Sequence, residues 1–591
     1  MNNEKYRFED LCVEKCFKNY FYIVPDYQRE YVWEAEKQVD QLLEDVYGSY
    51  TPGSDKEYFI GTTVVYQDSS SKICELVDGQ QRTTTLFLML CAFRRICSER
   101  SLDLTEIINP LISESTLSKS GSIERKYHLE LQYESSSKIL EDISNNIFST
   151  EPLSASGQRL ENAYNHIYRY LADNTEGDDE ELKNMFLYFL YNLKFIQIST
   201  PDINDALKIF ETINERGVGL NPMDLLKNLI FRQVQREQFD KLKAKWHQLV
   251  GMLEDNNEKP LRFLRYFIMS NYPQAINIPG REDNTIREDE IYKWMSDHDD
   301  VCDYKREPFK FVDLLLENVN CYVNFANGKD KRGNRSPYLD NIIRLGGGAF
   351  RQHLIILLSA RNMSTDVFNY MAKTMESYLF YALFTKVQAK IFEKQFAKWC
   401  LTIYDIHTME EMTSFVEENI KPEIAKLAEE FKARFMIFKQ WDLQLYRIKY
   451  ILAKLNQYVD MAHSGMTEPM VLDNYYKKGT EIEHILPQTP TEEMRAQYEN
   501  YDELPYRLGN LALLEQPMNG SIKNSSYEVK SPVYGASNFY LTRSLHHLDN
   551  IGVNNAITRI NSELISFDHW DAETIAQRQA MLYELAKKIW G

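Results

Sequence analysis

A carboxylate and a histidine stand side by side near the C-terminus, as Glu483 and His484. Asn510, Asn519 and Lys523 follow them along the chain. A neutral imidazole, with an unperturbed pKa of about 6.5, can take a proton from water. Carboxylate and amide oxygens can bind a hard cation such as Mg²⁺, which neutralises charge developing on a phosphate. Hydrolysis of a phosphodiester bond requires both functions.

Secondary structure must bring these residues together. The pattern predicts a strand over residues 480–486, a second short apolar segment over 511–514, and a helix carrying Asn519. Adjacent residues on a regular strand point to opposite faces. Glu483 and His484 can therefore serve one site only if the strand bends or ends there. Pro487 favours an early end of the strand.

Three N-terminal blocks form a second candidate site. They cover residues 23–33, 77–84 and 210–217, the last followed by 224–228. In the second block, a strand ending in Asp78-Gly79 leads into a helix, whose first N–H groups favour an anion. Gly79 permits close approach of a phosphate, Arg82 can donate two hydrogen bonds to it, and Asp78 could hold a metal or orient water. A capped helix start explains the same residues equally well.

The rest of the pattern is mainly helical. A hairpin is predicted over 58–66 and 73–77, followed by a helix over 81–98. Apolar residues at helical spacing predict further helices, and polar stretches place a domain boundary near 250. Those helices cover 205–214, 223–233, 367–385, 438–458 and 572–590.

Two loops in the middle of the chain could bind phosphate. Gly346-Gly347-Gly348 has no lysine after it and is interpreted as a helix-breaking turn, and no Walker motif occurs elsewhere. A glycine-bearing loop carries Lys329, Lys331, Arg332 and Arg335. A solvated loop is the favoured interpretation of this basic segment, and a phosphate contact is the alternative.

Composition sets broad limits. A chain of 591 residues predicts three or four domains, and a formal charge of −19 argues mildly against non-specific coating of nucleic acid. The eight cysteines form no C-x-x-C pair and none follows Cys400, so structural zinc is not expected. Scattered cysteines and the absence of a long apolar segment predict a cytoplasmic protein outside the membrane.

The C-terminal pattern as a whole is far more specific than its Glu-His pair. It resembles the His-Me finger (ββα-metal, HNH) nucleases in the version found in GmrD-like C-terminal domains. The resemblance implies His484 as the general base, Glu483 and Asn519 as metal ligands, Asn510 as a brace of the loop and Lys523 as a phosphate contact. Glu483 replaces a more common aspartate, and Asn519 replaces a second histidine.

The N-terminal blocks resemble the GmrS-like domain, which has a ParB/sulfiredoxin-like fold and hydrolyses nucleoside triphosphates. The resemblance implies a GTP or ATP site, with two further residues on a neighbouring loop, Asn214 and Gly217. Thr83 departs from the family's usual hydrophobic residue. The residues expected to line the nucleotide site are Gln28, Arg29, Asp78, Gly79, Gln81 and Arg82.

The order of these two domains resembles the GmrSD-like type IV restriction proteins, which act on modified DNA. We therefore expect an α+β, predominantly helical chain, with a ParB-like domain over 1–235, a helical middle over 236–465 and an HNH domain over 466–591. The expected function is a nucleotide-regulated, Mg²⁺- or Mn²⁺-dependent endonuclease that cuts or nicks double-stranded DNA, including modified phage DNA. A homo-oligomer is left open. The alternatives are a ParB-like DNA- or partner-binding regulator with a vestigial nuclease, and an RNase.

Overall fold

The computed structural model describes residues 6–25, 28–53, 55–67, 71–117, 123–133, 138–148, 153–214, 222–231, 233–235, 238–277, 283–466, 472–550 and 555–591. The chain divides into two compact units. The first comprises Met1–Trp246 with Asp303–Lys310, and the second comprises His247–Cys302 with Phe311–Gly591.

The first unit is built on a mixed sheet. Its strands run in the order β1-β8-β3-β4-β2-β7, with β3 parallel to β8 and antiparallel to β4. β5 pairs with β6 in a separate antiparallel ladder. The strand bounds are β1 Arg7–Cys12, β2 Phe21–Val24, β3 Tyr58–Tyr66, β4 Ile73–Asp78, β5 Ser113–Leu117, β6 Ile123–Tyr127, β7 Leu129–Leu131 and β8 Leu193–Thr200.

The helices up to residue 254 lie between these strands and after them along the chain. Their bounds are α1 Val13–Asn19, α2 Asp40–Tyr47, α3 Gln80–Glu99, α4 Thr105–Ile112, α5 Ile139–Ser144, α6 Ala155–Asn174, α7 Asp179–Tyr191, α8 Ile203–Asn214, α9 Pro222–Phe231 and α10 Phe239–Glu254.

Helix α3 is the central element of the first unit. From Gln80 to Cys97 every residue is buried except Arg82, Arg94 and Arg95. A helix that is apolar on nearly every face is stable only when it is enclosed by other elements. Phe87 and Phe93 belong to the same core as residues of β2 and α6. This enclosure fixes the N-terminal end of α3, where Gly79 stands.

The second unit is mostly helical. Its helices are α11 Pro260–Asn271, α12 Ile291–Asp297, α13 Asp299–Cys302, α14 Pro308–Ala326 (whose start belongs to the first unit), α15 Pro337–Gly346, α16 His353–Ser359, α17 Thr365–Phe384, α18 Ala389–Ile403, α19 Met409–Phe415, α20 Lys421–Ile437, α21 Leu445–Ser464, α22 Glu492–Ala496, α23 Gln516–Ile522, α24 Tyr527–Tyr534, α25 Tyr540–Arg543, α26 Ala556–Asn561 and α27 Ala572–Trp590.

Two strands complete the second unit, β9 Thr480–His484 and β10 Leu511–Glu515, which pair antiparallel. The C-terminal helix α27 packs among the earlier helices, and Trp590 stacks on Phe380 with ring centroids 3.7 Å apart. This agrees with the core role expected from its apolar spacing. α27 therefore joins the helical part of the unit to the part that carries the strand pair.

The expectation of a predominantly helical α+β chain is confirmed. The predicted hairpin is found as β3 and β4, and the predicted terminal helix as α27. The helix predicted over 438–458 instead begins at Leu445, because residues 440–442 form a 3₁₀ turn after an extended Phe438. Within the described ranges, none of the helices has the length and apolar character needed to cross a membrane.

Candidate functional site

The strand pair of the second unit places the predicted C-terminal residues. β9 ends at His484, which lies opposite Leu511, while Glu483 lies opposite Ala512. α23 begins directly after β10 and carries Asn519. The sequence predicted this succession of strand, strand and helix. The amide nitrogen of Asn519 donates to Oε2 of Glu481, across 2.8 Å.

His484 is half-buried at the end of β9. Its Nε2 lies 2.7 Å from Oε1 of Gln440 and 3.2 Å from Nε2 of Gln488. The amide oxygen of Gln440 accepts and the amide nitrogen of Gln488 donates, so the two contacts favour opposite tautomers; the shorter one favours the proton on Nε2 and the lone pair of a neutral ring at Nδ1. Burial, reinforced by the charge of Lys530, lowers the pKa of His484 to about 4. The ring is therefore neutral near pH 7.

Glu483 contacts a different element from its neighbour His484. Its Oε1 accepts from Nζ of Lys530 across 2.7 Å and from the hydroxyl of Tyr534 across 2.8 Å, both on α24. Lys530 also donates to the backbone oxygen of His484. Both members of this ion pair are almost fully buried, and burial lowers the pKa of Lys530 against the opposing charge of Glu483. The structure thus gives Glu483 an ammonium partner that the sequence did not predict.

Asn510 holds the segment that follows the strand end. Its Oδ1 accepts from the backbone N–H of Leu486 across 2.7 Å, and its Nδ2 donates to the oxygens of Leu486 and Pro505. The indole of Trp570 donates to the same Oδ1. The residue is completely buried with its amide satisfied. Asn510 therefore links the segment after β9 to the turn that precedes β10.

Helix α27 supports the turn that contains Asn510. The buried guanidinium of Arg578 donates to the oxygens of Gly509 and Leu511, across 2.6 and 2.8 Å. Gln579 accepts from the backbone N–H of Gly509. A Cβ on Gly509 would meet the backbone oxygen of Ile575 at 2.1 Å, so only glycine allows this approach. The terminal helix therefore positions Asn510 besides filling the core.

The donors near Asn519 can be compared with what Mg²⁺ requires. Among the residues that the structure describes, no group of three His, Cys, Asp or Glu side chains could hold a metal. Mg²⁺ commonly binds one or two protein oxygens and completes its shell with water and substrate phosphate. The Glu481 carboxylate offers such an oxygen, whereas Asn519 presents its amide nitrogen to Glu481, so its amide would have to rotate to supply a second oxygen. Lys523 lies exposed just after α23.

In the first unit, the second predicted site is a cavity at the start of α3. Its volume of about 160 Å³ is below the roughly 300–1,000 Å³ of typical ligand pockets. The described walls therefore accommodate a group the size of a phosphate. The lining residues are Gln28, Arg29, Trp33, Val77, Asp78, Gly79, Gln80, Gln81, Arg82 and Phe210.

Two of the predicted nucleotide residues hold the protein's own backbone. Gln81 accepts from the N–H of Val32 and donates to the oxygen of Glu30, which ties this segment to α3. Arg82 donates through Nη1 and Nη2 to the backbone oxygens of Ile60 and Thr62. The expectation that Arg82 directs both nitrogens at a phosphate therefore needs correction, because β3 already accepts from them.

Asp78 and Gly79 are arranged as the strand-to-helix turn predicted. Gly79 has φ +86°, and a Cβ there would meet Oγ1 of Thr63 at 2.7 Å, so the position requires glycine. Burial raises the pKa of Asp78, opposed by Arg82, the Gly79 backbone N–H and Arg29. An aspartate whose charge is destabilised by burial inside a cavity is typical of functional sites.

Two buried amides in this cavity lack hydrogen bonds. Among the residues that the structure describes, Nε2 of Gln28 and Oε1 of Gln80 have no hydrogen-bond partner, although each residue is over nine-tenths buried. An unsatisfied buried donor or acceptor costs about 1–3 kcal/mol. A ligand offering both an acceptor and a donor would remove that cost. The side chain of Asn214 and the whole of Gly217 lie outside the described residues.

Comparison with protein families decides what the chain is. The model of the GmrSD restriction endonuclease N-terminal domain matches residues 13–231, and that of the C-terminal domain matches residues 426–585. The chain belongs to the GmrSD restriction endonucleases. The predicted family is thereby confirmed, and this GmrSD protein is a restriction nuclease whose substrate is DNA. No curated protein matches it in a sequence search.

Both candidate sites of this GmrSD endonuclease fall inside the matched segments. The sequence argument missed Glu481, which alternation places on the same strand face as Glu483 and could have revealed. It also missed the pair Lys530 and Tyr534, whose spacing of four residues puts them on one helix face. Gln440 gave no signal, because only folding brings it to His484.

Proposed function

We propose that this endonuclease cleaves DNA by a ββα-metal (HNH) mechanism in which His484 is the general base. The neutral ring, held through Nε2 by Gln440, supports this most directly, because it leaves Nδ1 to take a proton from water. Asn510 fixes the backbone around the ring, and Lys523 is placed to contact a phosphate. When bound, Mg²⁺ or Mn²⁺ supplies positive charge for the phosphorane-like transition state and the leaving oxygen.

We further propose that Asn519 holds this cation together with a carboxylate of β9. Glu481 is favoured as the partner because the Asn519 amide lies against it, and rotation of that amide would place two oxygens side by side. The resemblance implies Glu483, which would first have to exchange the ammonium of Lys530 for the cation. The two carboxylates lie two residues apart on one strand, so one pair of variants separates them.

Replacing Glu481 with glutamine is expected to weaken Mn²⁺ binding by at least about tenfold. Loss of a residue that only supports a metal ligand already lowers metal affinity by about 10–100-fold, so loss of a ligand should cost no less. Glu483→Gln should leave the affinity within about threefold, because that carboxylate already has a cationic partner. Mn²⁺ binding would be followed by electron paramagnetic resonance, with the exposed Glu499→Gln as a matched control. The opposite ranking would assign the cation to Glu483 and show that Lys530 is displaced.

A nucleoside triphosphate, GTP or ATP, is proposed to bind at the cavity of Asp78 and to regulate cleavage. The unpartnered amides of Gln28 and Gln80 and the buried carboxyl of Asp78 support a polar ligand there. The ParB/sulfiredoxin-like domain implied by the resemblance hydrolyses such nucleotides. Gly79 and the N-terminus of α3 are suited to a phosphate.

Asp78→Ala is expected to lower phosphate release from the preferred nucleotide by about a hundredfold, because the residue would orient water or a cation at the phosphate. Release would be measured for each nucleoside triphosphate, with the exposed Asp103→Ala as control. No release from the wild type with any nucleotide would leave only a binding or structural role at this site.

The substrate class requires its own experiment. Plasmid DNA, RNA and phage DNAs carrying different base or backbone modifications would be digested with Mg²⁺, with and without GTP or ATP. We expect cleavage of modified DNA that depends on the nucleotide. Preferential RNA cleavage would favour the RNase alternative. Binding of DNA without any cleavage would favour a regulator with a vestigial nuclease.

A further inference from the structure

The basic loop in the middle of the chain is an ordered hairpin. Lys329 and Arg335 form an antiparallel bridge. Oδ1 of Asp330 accepts from the backbone N–H groups of Arg332 and Asn334, across 2.9 and 2.8 Å. The Asp330 carboxylate thus fixes the turn, and the fold holds the basic side chains in place. The backbone of this segment is therefore ordered, while the side chains of its four basic residues remain exposed, as the interpretation of a solvated loop predicted.

This hairpin forms one wall of a cavity of about 210 Å³ within the second unit. Lys331 and Arg332 line it on the basic side, and Phe325, Met363 and Phe368 line it with apolar surface. Arg335 also belongs to the lining but is paired with Asp473 and Asp340. A cavity with one basic and one apolar wall suits an anion attached to a flat apolar group.

Two helix N-termini reach the same cavity. Pro337 begins α15 and Thr365 begins α17, and both residues line the cavity. The residue before α17, Ser364, makes no side-chain capping hydrogen bond to the helix. Ser336 already caps α15, and Pro337 has no N–H, so α17 is the helix that presents free N–H groups and a dipole to an anion.

Arg361 supplies an independent indication of an anionic ligand. It also lines the cavity and is only 6% exposed; its Nη1 donates to the backbone oxygen of Leu358, while its Nε has no hydrogen-bond partner among the residues that the structure describes. The carboxylate paired with that nitrogen, on the exposed Glu317, is 4.0 Å away. Burying a guanidinium without a close counter-ion is costly, so such residues commonly mark a site where an anion binds.

We propose that this cavity binds a nucleotide unit, a base carrying a phosphate. The phosphate lies at Arg332 and the N-terminus of α17, and the base packs on the apolar side of the cavity, at the surface that Phe368 leaves exposed. The cavity volume of about 210 Å³ is also below that of typical ligand pockets, so it encloses the phosphate and only part of the rest of the unit. That unit comes either from a free nucleotide or from a strand of DNA, and the two sources share the chemistry that is recognised.

Hydrogen–deuterium exchange of the full-length protein tests this locally. We expect dCMP or a short DNA duplex to protect the amides of residues 328–338 and 361–369, with inorganic phosphate needing a higher concentration. Arg332→Ala should weaken that protection about tenfold, equivalent to about 1.4 kcal/mol. Lys329→Ala is the matched control, because Lys329 is an exposed cation of the same hairpin that does not line the cavity.

Each outcome decides the inference. Protection by dCMP supports a free nucleotide as the source, and protection by duplex alone supports a unit of DNA. Inorganic phosphate protecting as strongly as dCMP would overturn the role of the base. Absence of protection, or protection confined to residues 28–33 and 77–82, would overturn the inference. The proposed cleavage would still be tested separately by wild-type digestion of DNA.

Discussion

Replacing His484 with alanine is expected to reduce the rate of DNA cleavage by about 10²–10⁴-fold, the usual contribution of a general base. Gln440 holds the ring in place, and the ring is neutral near pH 7, so it can accept a proton from water. The measurement is single-turnover nicking of supercoiled plasmid at saturating enzyme, because this separates the chemical step from DNA binding.

A matched histidine controls for the substitution itself. His569 is 69% exposed and pairs with Asp571 in the same part of the chain. His569→Ala should cleave at the wild-type rate. Equal rates for His484→Ala and the wild type would remove the assignment of this ring as the base, while leaving the family membership intact.

The pH dependence provides a second check on His484. Since burial lowers its pKa to about 4, cleavage should remain near its maximum from pH 7 down to about pH 5 and fall only below that. In the unfolded chain the ring regains its ordinary pKa of about 6.5. Its contribution to stability is therefore present above pH 6.5 and lost as the pH falls towards 4. An acid limb of the rate near pH 6.5 would contradict this environment.

Replacing Lys530 with methionine is expected to destabilise the strand pair by about 3–5 kcal/mol, the usual cost of removing one partner of a buried ion pair. Glu483 would remain buried with a charge that, among the described residues, keeps its hydrogen bond from the hydroxyl of Tyr534 but has lost its ammonium partner. Native-state hydrogen exchange of the amides of β9 and β10 measures this change locally. A local measurement is needed because a chain with two units does not unfold in a single two-state step.

The double variant separates the ion pair from the loss of packing. Lys530→Met with Glu483→Gln removes both charges, and we expect it to recover most of the lost free energy. Lys587→Met is the control, because Lys587 and Glu584 form an exposed pair on α27 and should change stability by less than about 0.5 kcal/mol. Equal destabilisation by the single and double variants would show that packing of the lysine stem dominates.

Individual helices and strands could be predicted from short-range patterns in the sequence. Richness in β-branched and aromatic residues predicted β3 and β4, and helical spacing predicted α3 and α27 within a few residues of their bounds. These patterns report which face of an element is buried, so they remain valid whichever partner covers that face. The helix predicted from Phe438 was wrong in its first turn, where Leu508 N–H instead donates to the backbone oxygen of Phe438.

The sequence by itself determined the family, the strand-strand-helix order around His484 and the glycine turn at Asp78. Each depends on residues that are neighbours along the chain. Only the tertiary structure decided that Lys530 neutralises Glu483, that Gln440 orients His484 and that Trp570 holds Asn510. These contacts join residues separated by 47, 44 and 60 positions. At such separations a contact depends on how whole elements pack, and no local periodicity encodes it.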